Sequence, residues 1–163
     1  MSKLIVIRGN SGSGKTTTAK LLQQYLGENV MLLSQDVIRR DILNAKHGTD
    51  TNTISLLSLL LEYGSRHCEI VILEGILYSK KYMPLFEQAK ELFGDKIWGY
   101  YYELSFEETI TRHNTKNSRN DYGEEEMKTW WHEKDYIHII NEKKITKDMS
   151  LLDTVKMIAR DVL

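Results

Sequence analysis

The chain has 163 residues, 41% of them hydrophobic and 28% charged, with a formal net charge of −1. That composition suits a globular domain with a real core, and the near-neutral balance argues against a broad nucleic-acid or anionic-membrane surface. A single cysteine, Cys68, excludes an intramolecular disulfide and a thiolate cluster for zinc.

The opening MSKLIVIRG carries too short an apolar run for a secretory leader. The longest apolar stretch, ISLLSLLL at 54–61, is far short of a membrane span. The expectation is a cytoplasmic protein with no membrane partner, built as one domain over residues 1–163. Predicted strands fall at 3–8, 30–34, 69–74, 97–104 and 138–141. Several are continuous apolar blocks rather than alternating ones, as in strands covered on both faces. Helical periodicity places helices at 15–26, 37–46, 54–67, 80–93, 106–116, 124–135 and 151–162. Ser105 with Glu108, Ser150 with Asp153, and Asp121 with Glu124 have capping-box spacing. Alternation of strand and helix implies an α/β fold, a parallel sheet between two helical layers.

The stretch between the first strand and the first helix is GNSGSGKT, Gly9 to Thr16, which satisfies G-x-x-x-x-G-K-[ST] in full and in the required context. Gly9, Gly12 and Gly14 allow the backbone to curl so that successive N–H groups face phosphate oxygens. Asn10, Ser11, Ser13 and Thr17 complete the expected nucleotide cradle. The helix beginning near Lys15 adds the positive end of its dipole. Lys15 is expected on the β- and γ-phosphates of ATP, and the Thr16 hydroxyl on Mg²⁺.

A GTPase would show a guanine-reading N-K-x-D and a D-x-x-G, and neither is visible. The third strand instead ends VILEG, which puts Glu74 where a carboxylate can hold the metal, commonly through water. After the second strand, LLSQDVIRRDIL places Asp36 at the carboxyl edge of the sheet, where ligands of α/β folds bind. Asp36 fits two roles equally on spacing: a base toward an acceptor hydroxyl, or a cap on the helix starting at Val37. Arg39 and Arg40 follow within a helical turn and would contact the acceptor, with Arg39 suited to an anionic group.

These residues, in this order, resemble the small P-loop kinases grouped around chloramphenicol phosphotransferase, the zeta-toxin kinases and the 5′-kinase domain of phage polynucleotide kinase. The resemblance runs through the phosphate loop, SQDVIR at 34–39 and the strand ending LEG. It implies a five-stranded sheet of order 2-3-1-4-5 and makes Asp36 the base and Arg39 a contact to the acceptor. It also implies a helical lid, here 105–135, whose arginines close on the phosphates. Arg112, Lys116 and Arg119 recur at spacings of four and three, which would put all three on one helix face. Arg112 and Arg119 are the candidates to stabilise the transferring phosphoryl group.

Other conspicuous residues have plainer readings. Trp130 and Trp131 are expected to pack the helix after the lid, and Glu124–Glu126 to complement a helix N-terminus. His113, His132 and His138 lack ligand spacing for a metal. The loop 141–150 occupies the place where the resembling kinases cradle adenine. The expected activity is transfer of the γ-phosphate of ATP to the hydroxyl of a small molecule: a nucleoside, sugar nucleotide or antibiotic. The competing readings are a polynucleotide 5′-hydroxyl kinase and a nucleotide-binding switch or ATPase.

Overall fold

Strands Lys3–Gly9 (β1), Val30–Ser34 (β2), Ile70–Gly75 (β3), Ile97–Tyr102 (β4) and Lys143–Ile145 (β5) lie parallel in the order β2-β3-β1-β4-β5. This is the order the resemblance implied. The structure is a computed structural model and describes residues 1–116 and 120–163.

The three layers follow from which face each strand residue takes. Leu4 and Val6 of β1 point into one core with Leu57, Leu61, Phe86 and Phe93, supplied by helices α3 (Thr51–His67) and α4 (Ser79–Phe93). Ile5 and Ile7 point into the other with Leu22, Val155 and Ile158, from α1 (Lys15–Leu26) and α7 (Leu151–Val162). All four β1 residues are fully buried, which is why the strand reads as an unbroken apolar run.

Parallel register brings the carboxyl ends of the central strands together. Ser34 pairs with Glu74, and Arg8 with Gly75 and Tyr101. The loop after β1 therefore opens beside the ends of β2, β3 and β4. That edge is where the functional candidates gather.

Arg8 is a charge at the end of this apolar strand, and it is fully buried. Its guanidinium meets Asp135 Oδ2 and Glu142 Oε1, each at 2.8 Å, and donates to the main-chain oxygens of Leu77 and Asp135. Asp135 also accepts from Ser79 N and Ser79 Oγ. One buried ion cluster thus ties the strand before the phosphate loop to the start of α4 and to the segment before β5.

Several predicted elements differ from those observed. Residues 138–141 are not a strand: His138–Ile140 is a single 3₁₀ turn, stopped by Asn141 at φ 51°. The fifth strand is instead Lys143–Ile145, where only Ile145 is buried, so the edge strand reads as polar. The helix expected at 37–46 is a short turn, α2 (Gln35–Val37), that widens into a π-helical turn at Ile38–Ile42. Asn44 then takes a left-handed conformation, φ 47°, and ends it.

After β4, α5 spans Phe106–Asn114 and α6 spans Glu124–Thr129, both shorter than predicted. Ser105 and Ser150 accept from Glu108 N and Asp153 N as capping spacing requires, each at 3.1 Å. Asp121 does not cap α6. Gly123 stands at that position instead, and Glu126 folds back to accept from its N–H at 2.9 Å.

Candidate active site

The loop Gly9–Thr16 is curled by glycines in backbone conformations that other residues rarely adopt, with φ of 80° at Gly12 and 99° at Gly14. Gly12 also has no room for a side chain. A Cβ there would lie 2.6 Å from the Thr109 carbonyl oxygen of α5 and 2.8 Å from Met127 Cε of α6.

Lys15 is buried, and its Nζ donates to the main-chain oxygen of Asn10 at 2.8 Å across the loop. Ser13 Oγ donates to the same oxygen. Burial lowers the Lys15 pKa to about 8, partly opposed by the nearby carboxylates of Glu74 and Asp36. A polyphosphate entering the loop would supply the counter-charge that the lysine lacks.

Thr16 Oγ1 donates to Glu74 Oε1 at 3.0 Å, and Ser34 Oγ donates to the same oxygen at 2.6 Å. This joins the helix start, the end of β3 and the end of β2 through one buried carboxylate. The donors are all oxygen, the chemistry a hard divalent cation such as Mg²⁺ takes. Among the described residues no group of three or more His, Cys, Asp or Glu is gathered for a metal. An ion here would therefore draw the rest of its shell from phosphate and water.

Asp36 lies beyond this cluster with its side chain 65% exposed and 3.5 Å from Arg39 Nη2. The cap on that turn is Ser34, whose Oγ accepts from Val37 N, so Asp36 is left free of the capping role. Arg39 also donates to the Ala45 oxygen at 3.2 Å, while Arg40 is exposed. A cavity of about 300 Å³ opens beside Asp36, lined by Arg39, Asp50, Tyr78, Lys81 and Trp130 among others. A second, of about 260 Å³, shares Asp36, Arg39 and Trp130 and reaches Ser11 and Arg40.

Arg112 reaches the phosphate loop: its Nη1 donates to the Ser13 oxygen at 2.8 Å, and its Nε to Glu108 at 3.0 Å. The expected basic face does not continue, because α5 ends at Asn114 and Lys116 lies past it. Arg119 lies outside the described residues. Thr17, Gly14 and Arg112 line a further cavity of about 440 Å³ with Met149 and Ser150. The end of the loop 141–150 thus borders the same cavity as the phosphate loop.

Trp131 packs edge-on against Phe106 as expected, but Trp130 faces the cavities beside Asp36. Two site residues carry no sequence signal of their role. Gln35 donates to Tyr82 Oη at 2.6 Å and accepts from Leu77 N at 3.0 Å, filling the space that Gly75 leaves. Asn10 hydrogen-bonds the main chain of His132 with its side-chain amide.

The AAA domain family (AAA_33) matches residues 4–90, more than half of the chain. No curated protein matches the sequence at a significant level. Similar solved structures include a gluconokinase from Sinorhizobium meliloti 1021, with a TM-score of 0.69 and 17% identity over 98% of this chain and 93% of that one. The Mycobacterium tuberculosis APS kinase in complex with AMPPNP and APS gives 0.65 and 19% over 98% and 96%. The Acinetobacter baumannii shikimate kinase in complex with shikimate gives 0.62 and 16% over 99% and 93%. With the phosphate loop, the sheet order and these likenesses together, the chain belongs to the AAA domain family and carries the P-loop kinase fold.

Proposed function

We propose that the chain is a kinase that moves the γ-phosphate of ATP to a hydroxyl of a small molecule. The observation that carries this reading is the position of Asp36. Its exposed carboxylate stands beside the Lys15–Glu74 cluster and lines two cavities, one of which also reaches Ser11 of the phosphate loop. A nucleotide switch needs the loop but has no use for a second cavity with an exposed carboxylate at its mouth. The similar structures include kinases named for gluconate, APS and shikimate, which supports a small-molecule acceptor here.

In this reading the phosphate tail lies along the Gly9–Thr17 main chain, with Lys15 on the β- and γ-phosphates. Thr16 and Glu74 would hold Mg²⁺, which supplies positive charge against the oxygens of the polyphosphate. Asp36 accepts the proton of the acceptor hydroxyl as that oxygen bonds to the γ-phosphorus. The bond from that phosphorus to the bridging oxygen breaks and ADP leaves with its electron pair. Segment 105–135 serves as a lid, and Arg112 faces the charge that develops on the transferring group. Arg39 and Arg40 border the acceptor.

ADP release from ATP, followed across nucleosides, sugar nucleotides, aminoglycosides and sugar acids, tests this. Acceptor-dependent release is expected, and Asp36→Asn should cut it by about 10²-fold or more while AMPPNP still binds. Release that ignores every acceptor, or an equally active Asp36→Asn protein, would overturn the proposal.

A further inference from the structure

We infer that the acceptor is an uncharged alcohol carrying a flat heterocycle, a nucleoside-like compound, rather than a carboxylate or a phosphate ester. This rests on the kinase reading and narrows it, from the charges and the flat faces that line the two cavities beside Asp36.

The charges come first. In the inner cavity each cation already answers a carboxylate: Arg39 lies 3.5 Å from Asp36, and Lys81 lies 3.0 Å from Asp50. Asp50 further accepts from Tyr82 Oη at 3.0 Å. His47 and His132 also line this cavity, and burial lowers the pKa of both, which disfavours their charged forms. The outer cavity adds Asp121 and Glu126 against Arg40. Glu126 is held ionised by the backbone N–H groups that it accepts. Among the described residues, then, the acceptor side carries one more carboxylate than cations. In the inner cavity an incoming anion would have to break an existing pair, and in the outer one it would meet two acids against the single exposed Arg40, which disfavours it.

The second observation is the shape of the walls. Trp130 lines both cavities, and the His47 ring lies on it with centroids 4.7 Å apart and planes 25° from parallel. Tyr78 and His132 stack at 3.7 Å and 11° in the same wall. His47 belongs to an exposed loop that joins the π-helical turn to α3. It already covers Trp130 as a heterocycle would, and a flat acceptor ring would take that place while its hydroxyl approaches Asp36. Asp50 and Lys81, which also line this cavity, offer hydrogen-bonding groups to the polar edge of such a ring.

Titration calorimetry on the protein loaded with AMPPNP and Mg²⁺ tests this with matched pairs. The probes are the five common nucleosides, their 3′-monophosphates, which keep the same free 5′-hydroxyl, and gluconate. At least one nucleoside should bind about tenfold or more tightly than its 3′-monophosphate, and gluconate should bind more weakly still. Trp130→Leu should weaken that nucleoside about fivefold or more, while Trp130→Phe, which keeps a flat face, restores most of the affinity. AMPPNP affinity checks that each variant is folded.

Tighter binding of a 3′-monophosphate or of gluconate would overturn the inference, as would no binding by any nucleoside or an indifferent Trp130→Leu protein. Gluconate phosphorylated in an Asp36-dependent way would sink this inference and leave the kinase reading standing. ATP hydrolysis that ignores all acceptors would sink the kinase reading itself.

Discussion

Asn10 holds His132 by both sides of its amide: Nδ2 donates to the His132 oxygen at 2.7 Å and Oδ1 accepts from the His132 N–H at 2.8 Å. Asn10 is a buried member of the phosphate loop, and its own carbonyl oxygen takes the Lys15 ammonium. His132 lies two residues from Trp130 and stacks on Tyr78, both in the cavity beside Asp36. A single side chain therefore joins the phosphate loop to a wall of the cavity beside Asp36, across 122 positions of sequence.

Replacing Asn10 by Ala removes both bonds and leaves a main-chain N–H and C=O at His132 without their partner. The expected cost is about 1–3 kcal/mol of stability. The functional effect should be lopsided: KM for the acceptor rises several-fold more than KM for ATP, because the freed wall is on the acceptor side. Steady-state kinetics with both substrates varied, and a urea melt, check the two parts. An equal rise in both KM values would place Asn10 in the nucleotide loop alone.

Lys15 makes nucleotide affinity depend on pH in a defined direction. Its pKa in the free protein is about 8, lowered from 10.5 chiefly by burial. Below about pH 8 the ammonium is already charged when the phosphates arrive. Above it, the free protein carries the neutral amine, and binding must draw a proton from solution. AMPPNP affinity should thus be flat to about pH 8 and then fall, by at most about tenfold per pH unit. Calorimetry in two buffers of different ionisation enthalpy should find near-zero proton uptake at pH 7 and up to one proton at pH 9. Lys15→Met should abolish the uptake. Stability runs the other way, because the unfolded chain binds more protons between about pH 8 and 10.5, so this group's contribution rises with pH there.

The buried cluster at Arg8 is a stability device. Glu142 is almost fully buried, and burial raises its pKa against the pull of the Arg8 charge. Arg8→Met would leave that carboxylate without its counter-ion and leave Asp135 half-answered. Loss of about 3–5 kcal/mol is expected in urea denaturation. The double variant Arg8→Met with Glu142→Leu should recover a good part of it, since an apolar pair of similar volume does not strand a charge. A double variant no better than the single one would show that the charges themselves are required.

What the sequence discloses follows the range of the physics. The phosphate loop is legible because its demands are local: glycines where φ is positive, a lysine at the helix start, a hydroxyl beside it. Strands β1 and β3 are legible because both faces are covered, and an unbroken apolar run that short fits little except a strand inside a sheet. Strand β5 is hidden because an edge strand with one buried residue in three looks like a loop. Asp36 and Arg39 can be picked out as candidates, but the Ser34 cap and the π-helical turn that carries Arg39 cannot, since a widened turn uses the same residues as a regular one. The contacts that join the two halves of the site, Asn10 with His132 and Arg8 with Asp135 and Glu142, span more than a hundred residues. Only Arg8, a charge inside a buried strand, gives any sign in sequence that a distant acid must answer it.

Arg112 separates charge stabilisation from ordinary packing. Its Nη1 bonds the Ser13 oxygen at 2.8 Å and its Nε is set by Glu108, one turn back on α5, at 3.0 Å. A planar fork held at two points can meet a transferring phosphoryl group in a fixed orientation, which a lysine cannot reproduce. If the lid serves the transition state, Arg112→Lys should lower kcat by about 10- to 10³-fold with AMPPNP affinity changed less than tenfold. Glu108→Gln, which keeps the guanidinium but loosens its anchor, should fall between that variant and the wild type. Single-turnover measurements of phosphoryl transfer isolate the chemical step from product release. A drop confined to AMPPNP affinity, with transfer intact once bound, would make Arg112 a ground-state contact and leave the transition-state charge to Lys15.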